Sequence, residues 1–124
     1  MIPSRGRVDP SSLLSATALG VYLLVVAGAT ADIADVVETC SSWPGCHGSL
    51  ADPSVLVALG HRSLAVLVGL LLLATAVVVT RADVRRRTRA ATLLALGLYP
   101  VQVAVGAIVA LDSNVAGIPG LHLL

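Results

Sequence analysis

Two cysteines, a histidine–arginine pair and a second histidine carry what chemistry this chain has to offer. The stretch ETCSSWPGCHG, Glu38 to Gly48, places five residues between Cys40 and Cys46, with a Trp43-Pro44 step inside and His47 directly after. In an oxidising compartment such a pair closes a disulfide. Closing so small a ring stabilises its segment by about 2 kcal/mol through lost chain entropy. If reachable, the same pair can instead cycle between dithiol and disulfide as a redox relay, and residue types alone leave both uses open. Covalent haem attachment is excluded at Cys46-His47, because that motif sets two residues between its cysteines.

His61 and Arg62 interrupt an otherwise apolar run. An ionisable side chain inside a membrane span costs about 2.5 to 3.5 kcal/mol at mid-depth, so such residues face a bundle interior and find partners there. Neutral imidazole is a common metal ligand. Arg62 can snorkel outward along its own stem and be purely structural. Near the C-terminal end His122 stands among three leucines, and in the third apolar run Gln102 follows Tyr99-Pro100. Two histidines on neighbouring helices at similar depth can ligate one haem iron from opposite faces. The competing reading is two interfacial histidines wetted by headgroups. Gln102 can bond across helices or to a ligand, and Trp43 suits a headgroup-level anchor.

The elements that must position these groups follow from composition. The chain has 124 residues, of which 56% are hydrophobic and 12% charged, and its mean hydropathy is +0.93. That is too apolar for a soluble domain of this size. A formal net charge of +1 with a single basic cluster argues against a nucleic-acid partner. Three apolar runs, Leu13 to Ala31, Ser54 to Thr80 and Ala90 to Leu111, are each long enough to cross a hydrocarbon core, and they lack the alternation of barrel strands. The fold class expected is therefore all-α: a polytopic membrane helix bundle of three transmembrane helices plus the start of a fourth. Residues 1–12 form the N-terminus and residues 13–124 the bundle, with helices at about 13–31, 54–80 and 90–111 and a truncated fourth from about 121. The length of the first run favours a retained span over a cleaved leader.

Arginine sets the orientation. Arg81, Arg85, Arg86, Arg87 and Arg89 crowd the link between the second and third runs, and Arg5 and Arg7 precede the first. By the positive-inside rule these ends face the cytoplasm, which leaves the Cys40–Cys46 loop external and the protein in the plasma membrane. An alternative use of the arginine cluster is contact with lipid headgroups.

In series, CSSWPGCHG in an outer loop, GHR near the start of the second helix, YPVQVAVGAIVA in the third and IPGLHLL opening a fourth resemble the N-terminal half of the haem A synthase family over nearly the whole chain. The resemblance implies one half of a tandem four-helix-bundle architecture and the oxidation of a ring methyl of haem O to the formyl of haem A. It implies haem, of b- or o-type, as cofactor. His61 and His122 would be its iron ligands, Arg62 and Gln102 cofactor-binding residues, and Cys40 with Cys46 the outer cysteine pair as disulfide or redox relay. It implies membrane lipid, haem O or protohaem, and further helices in cis or from a partner subunit as partners.

Two departures stand out. The family's usual Glu-x-x-His-Arg has Ala58 at the glutamate's place, and the usual arginine shortly after the first helix is missing. With that carboxylate absent, no catalytic residue is assigned, and oxidoreductase activity is expected only if further helices complete the protein. The chain is also similar to the leader bundle fused in front of haem O synthase, the protohaem IX farnesyltransferase, in some archaea. A membrane scaffold without catalysis is the third reading.

Overall fold

The structure, a computed structural model, describes residues 6–33, 40 and 42–111. Three helices account for most of them: α1 (Pro10–Ile33), α2 (Pro53–Arg81) and α3 (Arg86–Leu111). Each is long and apolar enough to cross a membrane, and there is no strand among the described residues. The chain is thus an all-α, multi-pass membrane protein. The expected fourth helix, from about residue 121, lies outside the described residues.

The first two helices start where local chemistry closes their free N–H groups. Asp9 precedes Pro10 and accepts hydrogen bonds from the Ser11 amide at 3.2 Å, from the Ser11 hydroxyl, and from the Ser12 hydroxyl at 3.3 Å. Asp52 caps α2, accepting from the Ser54 amide at 2.9 Å, with Pro53 at the first helical position. A proline there loses nothing, since its missing N–H would have had no intrahelical partner. These caps extend α1 and α2 beyond the Leu13 and Ser54 starts read from hydropathy.

The larger difference is at α3, which begins at Arg86, four residues before the expected Ala90. Arginines in a first turn oppose the helix dipole. Arg89 offsets this by reaching back to the end of α2, where its Nε donates to the Val79 carbonyl at 3.2 Å and a terminal nitrogen to the Ala82 carbonyl at 3.1 Å. Part of the basic link is therefore helix, and one of its cations bonds the Val79 carbonyl in the last turn of α2 and the carbonyl of Ala82, its C-cap. α3 runs on through Pro100.

α2 is the central element. Among the described residues 28% of its most apolar stretch is buried, against 6% in α1 and in α3, which matches a middle helix packed by a neighbour on each side. Its buried residues Val68, Leu72, Thr75, Ala76 and Val79 recur at helical spacing.

α1 and α2 run antiparallel with small residues at their seam. Thr17 and Thr75 share a buried hydrogen bond of 2.7 Å, while Thr75 also donates to the Leu71 carbonyl of its own helix at 2.8 Å. Gly20 lies under Val68. On the other side of α2, Tyr99 of α3 lies against Gly69 and its hydroxyl donates to the Ala65 carbonyl. Apolar attraction between helices is weak in lipid, so glycine contacts and buried hydroxyls of this kind hold the bundle.

Candidate functional site

The residues that could do chemistry gather at the end of the bundle where α1 finishes and α2 starts. His61 lies eight residues into α2, about 12 Å along its axis. Its ring fits a notch at Gly28 of α1: a Cβ on Gly28 would stand 3.1 Å from His61 Cε1 and 3.7 Å from Nδ1. Nδ1 is shielded from solvent. The notch explains why Gly28, unlike most of α1, is buried, and why an imidazole is tolerated at this depth. Nothing in the sequence singles out Gly28 as the partner of His61, because the antiparallel register of α1 and α2 brings the two together.

Arg62 turns from the bundle toward the cysteine loop. One terminal nitrogen donates to the carbonyls of Ser42 at 2.8 Å, Pro44 at 3.1 Å and Gly45, and the other to Cys40 at 3.4 Å. That first nitrogen has two hydrogens for three acceptors, so they are shared. The loop is shaped to receive it. Cys40 and Cys46 form a disulfide with Cα atoms 5.3 Å apart, the Trp43-Pro44 peptide is cis, and Ser42 Oγ donates to the Gly45 carbonyl at 2.9 Å while accepting from the His47 amide at 3.2 Å. Gly48 meets Val55 so closely that a Cβ would fall 2.6 Å from Cγ2, which seats the loop on the first turn of α2.

Cys40 is 1% exposed and packs against Ala58, itself 3% exposed, with Ala31, Cys46 and Val57 around them. The position where the haem A synthase pattern has a glutamate is therefore filled by apolar contact with the disulfide. A carboxylate there would be buried against sulfur and methyl groups, at a desolvation cost that normally neutralises or excludes it.

Gln102 stands one turn beyond Tyr99 on α3 and is half-buried. The Tyr99 contact with Ala65 and Gly69 sets the level of that stretch of α3 against α2. His122, the other expected iron ligand, lies outside the described residues. No group of three or more histidine, cysteine or acidic side chains suited to a metal ion occurs among the described residues. Of the side chains that could meet a haem iron, the described residues bring one imidazole into the bundle, that of His61 in the Gly28 notch. The contribution sequence reasoning missed is the set of loop carbonyls around Arg62, since backbone acceptors leave no mark in a sequence.

Among the described residues the site and fold define a helical membrane bundle with one histidine in its interior and a disulfide-closed loop at that end. Comparison with known proteins narrows this further. The chain is 53% identical over 113 residues to protoheme IX farnesyltransferase 1 of Natronomonas pharaonis, covering 91% of this chain and 24% of that protein. It is 50% identical over 115 residues to protoheme IX farnesyltransferase of Haloarcula marismortui, covering 91% and 25%, and 42% identical over 85 residues to that of Roseiflexus castenholzii, covering 68% and 16%. The chain thus spans about a quarter, or less, of the length of the curated relatives it matches. No family model matches, and no solved structure does.

These relatives overturn the principal functional expectation. Similarity at this level runs to protohaem farnesyltransferases, membrane proteins of haem biosynthesis, and the haem A synthase reading with its oxidation of haem O is withdrawn together with the oxidoreductase assignment. Ala58 packed on Cys40 is the physical counterpart, because the place for the oxidising enzyme's carboxylate is closed.

Proposed function

We propose that this chain is a haem-binding membrane bundle that works as the N-terminal part of a protohaem IX farnesyltransferase. The carrying observation is identity of 53% and 50% across nine-tenths of the chain to proteins of that name. In this reading the bundle presents protohaem to a prenyltransferase domain that transfers the farnesyl group, and it performs no oxidation. His61, seated at Gly28, holds the haem iron, and His122 supplies the second ligand. Gln102 lines the cofactor's side of the bundle, and Arg62, turned to the cysteine loop, stands at its entrance. A bound haem supplies an iron centre that takes imidazole ligands and a large flat apolar surface for the helices to cover.

The arginine-rich end faces the cytoplasm, and the Cys40–Cys46 loop lies outside the plasma membrane. The excess of arginine at one end and its absence from the cysteine loop support this orientation. Lipid surrounds α1 and α3, and further helices, in cis or from a partner, complete the bundle.

The direct test is the reading frame past the codon for Leu124. Continuation into further apolar helices with an aspartate-rich, diphosphate-binding motif is expected. A stop codon there, in a cell whose only prenyltransferase for protohaem carries its own leader bundle, contradicts the proposal.

A further inference from the structure

We infer that the disulfide-closed loop and Arg62 form a latch operated by thiol–disulfide exchange. A guanidinium inside a membrane helix must find acceptors, and this one finds four backbone carbonyls, those of Cys40, Ser42, Pro44 and Gly45, all within the span closed by the disulfide. Carbonyls on neighbouring residues of a flexible chain point in different directions. Here the covalent ring, with the Ser42 Oγ bonds to Gly45 and His47, turns them toward one point. The disulfide therefore preorganises the acceptor set, and Arg62 in return ties the loop to the third turn of α2. Cutting either link loosens the other.

The two sulfurs are not equivalent. Cys40 is buried against Ala58, whereas Cys46 is partly exposed. An external dithiol reaches Cys46 first. Its thiolate attacks Cys46 Sγ, the disulfide bond breaks, and Cys40 leaves as a thiolate that takes a proton. The second thiol of the reductant then attacks its own sulfur in the mixed disulfide, releasing Cys46 as a thiol and the reductant as a disulfide. Two electrons and two protons pass from reductant to loop. With the ring open, the carbonyls no longer converge, and Arg62 is released as an available cation next to His61. The oxidised loop is the closed state and the dithiol loop the open one.

The chain's single tryptophan, Trp43, lies inside this ring and is 44% exposed, so its fluorescence reports the loop alone. The experiment uses the full chain in lipid nanodiscs and compares Trp43 anisotropy and iodide quenching before and after reduction by a membrane-impermeant phosphine. In the wild type, reduction lowers the anisotropy and raises the quenching constant about twofold. Arg62→Gln gives the open-state signal while the disulfide is intact, and reduction adds little more. Arg62→Lys keeps the charge and the insertion behaviour of α2 but cannot span four carbonyls, so its oxidised signal lies between the two.

Equal changes on reduction in wild type and in Arg62→Gln would overturn the coupling. So would an oxidised Arg62→Gln or Arg62→Lys loop as rigid as the wild type. If Arg62→Gln does not insert, the Arg62→Lys comparison decides alone.

Discussion

The imidazole of His61 has a place because Gly28 has no side chain. A methyl on Gly28 would come within 3.1 Å of His61 Cε1, closer than ordinary van der Waals contact, so the ring must shift by a few tenths of an ångström. Overpacking a close contact costs about 1 to 3 kcal/mol and alanine returns about 1 kcal/mol of helix propensity, so Gly28→Ala is expected to destabilise by up to about 2 kcal/mol. It should also weaken haem uptake, read by SDS-titration unfolding and by absorbance on the same sample. Unchanged values for both would remove the notch from the account. Thr17→Val, by contrast, deletes one partner of the buried Thr17–Thr75 bond while Thr75 keeps the Leu71 carbonyl. Its expected cost is about 0.6 to 1.7 kcal/mol, with no effect on haem. The chemistry-bearing residues His61, Arg62, Cys40 and Cys46 were legible in the sequence as oddities in an apolar chain. Their partners were not, because Gly28 and four carbonyls become recognisable only when antiparallel register and loop folding bring them close.

At the scale of the element, helices were readable from apolar length alone, and their ends were not. The starts of α1 and α2 depend on aspartate–proline caps, and the start of α3 on Arg89 reaching a different helix. Asp52→Ala should cost about 1 kcal/mol, the usual worth of an N-cap, and the loss should appear as faster amide exchange in the first turn of α2.

Asp9 offers a pH signature. Hydrogen bonds from Ser11, side chain before backbone, hold its carboxyl below the usual carboxylate range. A lowered carboxylate value stabilises the folded turn fully above the ordinary range, and the contribution fades as pH falls through the lowered value. Amide protection at Ser11 to Leu13 should accordingly persist at pH 5 and fade in strong acid. In Asp9→Asn the pH dependence should vanish.

For the whole molecule, the fold class was fixed by composition, whereas the motifs left two haem-biosynthesis readings open and similarity to protohaem farnesyltransferases favours one of them. Histidines, a cysteine pair and a histidine–arginine step fit an oxidising enzyme and a haem-presenting bundle equally well. The residue that separates them is Ala58, and its burial against Cys40 shows a packed apolar contact in place of a carboxylate. Haem binding at His61 is the central claim, and protohaem titration in nanodiscs of the protein carried through the helices that complete its bundle tests it most directly. The wild type should take up one equivalent with the sharp visible bands of low-spin haem, and His61→Ala should lose those bands at unchanged helix content. No saturable uptake by the wild type, or the same spectrum from His61→Ala, would contradict the account.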